Sequence, residues 1–482
     1  MKQRAIVWFR RDFRLADNPA LRAAVDGDFD GIIPVFIHAP DEEGDWAPGG
    51  AQRVWQHESL AALADALEAI GSRLVIRQGP TQSTLDDLID ESGAGAVFWN
   101  RLYEPGLVRR DADIESHLGQ AYPELEVRHF QADLLHEPWT VETQAGKPYK
   151  VFTPFWRTIS ERSIRQPKAR PSQLPAVWSR IGSCDLADLG LRPAKDWTTT
   201  ILEHWTPGED GAQARLETFL EDTVDNYDND RDRPAVHGTS YLSPHLHWGE
   251  ISPFQVMHRA EEWLSEQSGG AIHEHIQSFQ SEIGWREFSR HVLYHFPDTP
   301  DEPLDDRFKA FPWETPDTAF DDWKAGMTGI PMVDAGMREL YATGYMHNRL
   351  RMTVASFLTK NLRIAWQHGE RWFWDTLFDA DLGNNTLGWQ WAAGCGADAA
   401  PFFRIFNPAR QGERFDKNGD YVRRWVPELA ELSNKHLQEP WNAPDKALEA
   451  AGVVLGKTYP KPVVDLKASR REALEAFEQV KN

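Results

Sequence analysis

Short apolar runs alternate with stretches of helical spacing over the first 130 residues. Residues 5–9, 32–37, 74–76, 96–99 and 125–127 read as buried strands. Between them, residues 19–24, 51–70, 81–91 and 106–118 carry apolar positions at the helical period and predict helices. Strands that are apolar throughout, separated by helices, imply a mainly parallel sheet covered on both faces. Right-handed crossovers then make this an α/β, doubly wound domain. No GxGxxG follows the first strand and no GxxxxGK[ST] occurs, so the usual dinucleotide fingerprint and P-loop are absent. Any small ligand of this half would sit at the carboxyl ends of the strands.

Residues 131–210 are rich in Pro, Trp and Ser without sustained periodicity and read as a surface connector carrying short helices. From residue 211 the helical period dominates, over 211–225, 253–267, 271–296, 331–343, 347–365 and 371–378. Pro331 suits a first helical turn and Gly344 a stop. The expected organisation is therefore a sheet domain over 1–130, a connector over 131–210 and an all-α domain over 211–482.

One stretch, Asp375 to Asn407, breaks this pattern. It holds Asp379 and Asp381, Asn384 and Asn385, and Trp389 and Trp391, punctuated by Gly383, Gly388, Gly394 and Gly396. Each interior glycine costs a helix about 1 kcal/mol relative to alanine. The stretch is therefore expected to be irregular backbone between short helical pieces, closing around something flat. A Trp-rich core corner with Asp and Asn as caps and turn residues is an equal reading.

Length and composition narrow the class. At 482 residues the chain exceeds the roughly 250–300 residues of a single core, so two or more packing units are expected. Hydrophobic content of 41% with 26% charged residues marks an ordinary soluble globular protein. Five apolar residues precede the return of arginine near the N-terminus, too few for a secretory leader. Cys184 and Cys395 lack zinc-type spacing, so reduced thiols and a soluble, cytoplasmic protein away from the membrane are expected. The net charge of −22 argues against nucleic acid at first. It is unevenly spread: residues 1–130 balance at −9, residues 333–363 at +3 and residues 383–424 at +2. A locally basic face can still meet phosphates; pairing of these arginines with nearby acids is the other reading.

Four groups could carry chemistry. Glu282, Trp285, Arg286 and Ser289 fall at i, i+3, i+4 and i+7 of one predicted helix. Taken alone they read first as an exposed Glu–Arg pair with Trp285 in the core, and second as a polar pocket that stacks on a ring. Asn348 and Met352 share a face, while Arg349 and Arg351 point elsewhere. Residues 238–243, GTSYLS, bring hydroxyls and backbone N–H groups before a helix start, as a phosphate cradle or a plain N-cap would. Among 21 tryptophans, Trp313, Trp366 and Trp389 lie in separate helical segments, where core packing is the default role.

At these residues the chain resembles the DNA photolyase/cryptochrome family over nearly its whole length. The resemblance runs from Trp8-Phe-Arg-Arg-Asp-Phe-Arg-Leu-Ala-Asp-Asn18 to Phe402-Phe-Arg-Ile-Phe-Asn-Pro408. It includes the blocks GTSYLSPHLHWGEISP, WREFSRH and MHNRLRMTVASFLTK in that order. It implies an N-terminal α/β domain and a C-terminal all-α domain that holds FAD, with the reduced form FADH− active. Carried over by position, Tyr227, Thr239, Ser240, Tyr241, Leu242 and Ser243 would hold the FAD phosphates. Asp379, Ala380 and Asp381 would meet the ribityl and isoalloxazine region, Arg286 would contribute to the cofactor site, and Asn385 would face flavin N5. Trp389, Trp366 and Trp313 match the three-tryptophan wire for photoreduction.

The same resemblance points to a substrate. Glu282, Trp285, Arg286, Asn348, Met352 and Trp391 match photolyases that act on cyclobutane pyrimidine dimers in DNA. The (6-4) photolyases carry histidines at the positions of Asn348 and Met352, and plant-type cryptochromes usually lack the Glu, the Met and the second Trp. Trp285 and Trp391 would stack on a flipped-out dimer, and Glu282 and Asn348 would hydrogen-bond its carbonyls. Arg349, Arg404, Gln411 and Lys417 would contact phosphate or lesion. Glu104 resembles a carboxylate that binds a folate antenna, but residues 296–301 lack the accompanying Cys-Lys pair, so an antenna chromophore would be of another identity or absent. The expected protein is a monomeric repair enzyme without metal or obligate protein partner. A cryptochrome-like photoreceptor is the alternative, disfavoured by a C-terminal tail of only about forty residues after Trp441. A light-independent flavin- or nucleic-acid-binding scaffold is a third.

Overall fold

A computed structural model describes residues 4–177, 180–193, 198–267, 269–399 and 403–481. Phe402, which opens the last matching block, and parts of the 131–210 connector lie outside the described residues. The described chain divides into two compact units that do not follow sequence order. One comprises 1–222, 240–297 and 378–381; the other comprises 223–239, 298–377 and 382–482.

The first unit is built on a parallel five-stranded sheet of β1 (Arg4–Phe9), β2 (Gly31–His38), β3 (Val75–Gln78), β4 (Ala94–Asn100) and β5 (Glu126–Phe130). The strand order is β3-β2-β1-β4-β5. The apolar runs seen in the sequence are the strands, and β1 is central, with Ile6 beside Ile33 of β2 and Val97 of β4. Helices α1 (Pro19–Asp26), α2 (Gly50–Ala69), α3 (Thr81–Ser92) and α4 (Pro105–Ala121) fill the crossovers. Helix α1 starts where predicted, because Asn18 caps it by accepting from Leu21 N at 3.0 Å and Pro19 presets its first turn. Ile33, Val35, Leu85, Leu88, Val97, Ile114 and Leu118 bury one face of the sheet.

The stretch read as a connector does more than cross the surface. Its helix α5 (Phe152–Ser160) buries Phe152, Phe155 and Ile159 and packs against the 26-residue helix Gly270–His295. Glycine opens this second contact: an added Cβ at Gly284 would lie 2.3 Å from the Trp156 ring.

The second unit is helical. Helix Pro331–Thr343 closes on Gly344 at φ +66°, as the sequence implied. Two expectations are corrected. Residues 347–365 do not form one helix: Asn348–Ser356 passes into a wider π-helical turn over Phe357–Asn361. The glycine-punctuated stretch is more regular than expected, since Leu382–Ala393 is one helix running through Gly383 and Gly388. Packing on helix Trp366–Thr376 outweighs the intrinsic propensity of two glycines. Only Gly394, at φ +87°, ends it. Gly369 belongs to the same contact, with a Cβ there falling 2.1 Å from the indole of Trp389.

Cys184 and Cys395 are unpaired, and no helix among the described residues is long and apolar enough to cross a membrane.

Gly249 offers a direct check on how the first unit is built. Its φ is +64°, and a Cβ would sit 2.1 Å from the carbonyl oxygen of Arg11. Gly249→Ala is expected to destabilise the protein by about 1–3 kcal/mol. The reading is a lower calorimetric melting temperature, and an unchanged one would contradict this packing.

Candidate functional site

In the first unit the carboxylates come from far apart in sequence and are held by arginines. Arg290, on the helix Gly270–His295 and 1% exposed, donates to Glu104 at 2.7 Å and ion-pairs with Asp381. Arg11, just past β1, donates to Glu104 at 2.5 Å and also pairs with Glu43. Burial alone would raise the Glu104 carboxyl, but Arg290 and Arg11 overcome it and hold it at about 2. Burial likewise works against ionisation of Asp381, and Arg290 foremost, then His247, push its carboxyl far below the ordinary range. Both carboxylates are therefore anions at neutral pH. Glu104, to which the resemblance gives an antenna role, is buried: both guanidinium groups meet its Oε1, and Oε2 accepts from Tyr103 N at 3.2 Å.

Asp379 sits two residues before Asp381 and accepts from Ser243 Oγ at 2.5 Å. Ser243 opens the short helix Ser243–His247. Just before it, Ser240 Oγ lies 3.4 Å from Leu242 N, and Tyr241 is held at φ +54°. A non-glycine residue in that region carries strain that surrounding contacts must sustain; the Tyr241 ring lies near the Trp205 ring and the Arg215 guanidinium, 6.1 and 5.7 Å away. Leu242 and Ala380 are buried. His247, at the end of this helix, is 2% exposed, and neither ring nitrogen has a hydrogen-bond partner among the described residues.

The helical stripe of Glu282, Trp285, Arg286 and Ser289 divides in two. Glu282 and Trp285 are half-buried, and Trp285 lies flat on Phe152 with centroids 3.8 Å apart and planes 11° apart. Arg286 and Ser289 face the interior instead. Arg286 donates to the Asp133 carbonyl at 2.5 Å and pairs with its carboxylate, and Ser289 donates to the Arg286 carbonyl at 2.8 Å. Arg286 is thus tied down inside the first unit by Asp133. A cleft also opens where β1 and β2 end, lined by Trp8, Arg10, Phe36, His38, Glu43 and Arg110.

The second unit holds the remaining candidates. Asn385 is buried and donates to the Glu370 carbonyl at 3.0 Å. Trp389 packs edge-on against Phe373 at 5.0 Å and Trp323 at 6.1 Å. Trp366 is 1% exposed, three residues before Gly369. Trp313 is half-buried beside Phe311 at 4.3 Å. Trp391 is half-buried against Phe406 at 6.3 Å. Asn348 is exposed at a helix start that His347 caps, its Nδ1 accepting from Arg349 N at 3.1 Å. Met352 is half-buried. Arg349 is less free than the sequence suggested, pairing with Asp232 at 2.6 Å and covering the Phe415 ring at 4.3 Å. Arg404 and Lys417 are exposed, and Gln411 is half-buried. Tyr227 is buried under the Arg231 guanidinium at 5.1 Å. The hydroxyl of Thr239 is buried with no hydrogen-bond partner among the described residues.

Comparison with known proteins gives this geometry its context. Residues 279–479 match the FAD binding domain of DNA photolyase, and residues 5–175 match DNA photolyase. A deoxyribodipyrimidine photo-lyase of Agrobacterium fabrum is 48% identical over 480 residues, covering 99% of this chain and 98% of that protein. The chain belongs to the DNA photolyase/cryptochrome family. Cryptochrome-1 of Arabidopsis thaliana is 40% identical across 99% of this chain and 70% of its own length. The crystal structure of a bacterial class III photolyase from Agrobacterium tumefaciens superposes with a TM-score of 0.95 at 47% identity, covering 100% of this chain and 98% of that one.

The residues present fit the FAD that such a domain takes. Buried polar groups normally find partners, yet the hydroxyl of Thr239 and both nitrogens of His247 have none among the described residues. Within the first unit Asp379 and Ser243, and within the second Asn385, carry acceptors and donors suited to hydroxyl and ring-edge groups. Sequence reasoning missed Arg290, His247, Asp133 and Trp323. The first two lie inside the blocks WREFSRH and PHLHWG, but nothing in those blocks distinguishes an inward charge from a surface one.

Arg290→Met leaves Glu104 and Asp381 buried without their shared cation, with an expected loss of about 3–5 kcal/mol. Glu104 titrates near 2 in the folded chain against an ordinary 4.5. A lowered carboxyl stabilises fully above its unfolded value and loses that stabilisation as pH falls. The wild-type advantage over the variant should therefore shrink as pH drops from about 4.5 toward 2, measured by melts at each pH. A pH-independent gap would exclude this ion network.

Proposed function

We propose that this chain is a light-driven repair enzyme that splits cyclobutane pyrimidine dimers in DNA with an electron from reduced FAD. The observation that carries the reading is Trp285, laid flat on Phe152 with Glu282 one turn before it on the same helix. The Phe152 ring fixes the orientation of the indole, so one aromatic face can receive a ring without rotamer search. Glu282 beside it can hydrogen-bond a base edge. Photolyases are known to extrude their target from the duplex, and a poorly stacked lesion makes that step cheaper.

Asn348 and Met352 belong to the same proposed substrate set, with Trp391 as a second stacking surface. Exposed Arg404 and Lys417 suit backbone phosphates, whose contribution is salt-dependent. Reduced FAD, when bound, would supply the light-driven one-electron chemistry that splits the dimer. Asn385, Asp379 and the anion Asp381 would hold and orient that cofactor, with Tyr227 and residues 239–243 on its phosphates. Trp389, Trp366 and Trp313 would pass electrons inward for photoreduction; Trp323, in contact with Trp389, belongs to the same aromatic group. The cleft beside Trp8 is the place in the first unit for an accessory chromophore. We further propose a monomeric, cytoplasmic protein.

The 40% identity to a cryptochrome supports a second reading, a photoreceptor that keeps the wire without repair. Illumination of the reduced protein with a dimer-containing oligonucleotide separates the two. Recovery of thymine absorbance is expected, and persistence of the dimers alongside intact photoreduction would favour the photoreceptor.

The wire has its own test. Trp389→Phe is expected to abolish photoreduction of oxidised flavin yet leave repair intact when the flavin is reduced chemically. Loss of both would refute the wire assignment.

A further inference from the structure

We propose that His247 is a further flavin-positioning residue, a neutral buried imidazole that hydrogen-bonds the polar edge of the cofactor beside Asp381. This rests on the flavin-dependent reading above. The helix Ser243–His247 places the ring inside the first unit with 2% of the residue exposed. Trp248 covers one flank edge-on, with centroids 4.9 Å apart. Nδ1 lies 3.9 Å from Asp381 Oδ2, beyond hydrogen-bond reach. Both ring nitrogens are therefore buried without a hydrogen-bond partner among the described residues. Buried polar groups are normally paired, and a ring with both nitrogens open is one that a bound group can complete.

The electrostatics favour the neutral ring. Burial lowers the imidazolium below its usual range, and Arg11 and Arg290 push the same way against the pull of Asp381. A neutral imidazole offers one N–H and one lone pair. The pyrimidine end of a flavin carries carbonyl oxygens and an N–H, so it can answer both. An N–H aimed at that edge also favours the reduced, anionic cofactor, because negative charge collects there. Arg290 contributes by holding Asp381 as an anion next to the ring. His247 thus sets both how tightly the flavin is held and how readily it stays reduced.

The test uses the full chain with FAD removed and added back. His247→Leu is expected to bind FAD about tenfold more weakly and to shift the flavin midpoint potential to more negative values. His247→Asn keeps a side-chain N–H and should recover most of both. The inference is overturned if His247→Leu matches wild type in affinity and potential, or if the Asn and Leu variants are equally impaired. A second measurement needs no variant: in wild-type protein with ¹⁵N-labelled histidine, FAD addition should move the His247 ring resonances. Unmoved resonances would overturn the inference even if His247→Leu fails to fold. Wild-type protein that takes up no FAD overturns the flavin reading itself, an outcome distinct from tight FAD binding with an indifferent His247.

Discussion

Arg290 is the residue on which the first unit depends. Its guanidinium lies between Glu104, which follows β4, and Asp381, which arrives after more than eighty intervening residues that mostly belong to the second unit. Arg11, just past β1, closes the same network through Glu104. A buried ion pair rarely adds net stability over an apolar replacement, but removing one partner leaves an uncompensated charge. The network therefore acts as a constraint more than as a source of stability. It fixes where residues 378–381 must lie relative to the ends of the strands.

That constraint explains the chemistry available to the site. Asp381 is kept anionic and immobile, and Asp379 is held by Ser243. Tyr241 is held at a positive φ just before Ser243. Rigid, pre-oriented polar groups are what a cofactor site needs if binding is not to spend free energy on ordering side chains. Across the helix Gly270–His295 the division of labour is clear. Arg286 and Arg290 face inward to Asp133, Glu104 and Asp381, while Glu282 and Trp285 keep part of their surface open. One helix serves both as a structural strut and as a platform.

The second unit solves a different problem, packing many large rings closely. Glycine makes it workable at Gly369, where the Trp389 ring meets backbone directly. Trp389 meets Trp323 and Phe373 edge-on, while Trp323 and Phe373 lie nearly parallel at 6.4 Å, both arrangements that aromatic quadrupoles favour. Packing of helix Leu382–Ala393 against Trp366–Thr376 also carries two glycines through a helix that their propensity alone would have broken.

What could be read from the chain by itself was what depends on local period and on motif order. The apolar runs became β1 to β5, the helix expected from residue 19 became α1, Pro331 and Gly344 bounded their helix, and the ordered blocks pointed to the family. Those signals are short-range, set by side-chain alternation, backbone dihedral preference and turn chemistry. Which charges meet was decided only by the tertiary structure. Glu104 and Arg290 are 186 positions apart, and nothing local says that one neutralises the other or that Arg286 turns to Asp133. The helix through Gly383 and Gly388, the contact of Trp323 with Trp389 and the unpaired nitrogens of His247 are likewise products of packing. Burial and pairing are properties of the assembled core, and no window of sequence contains them.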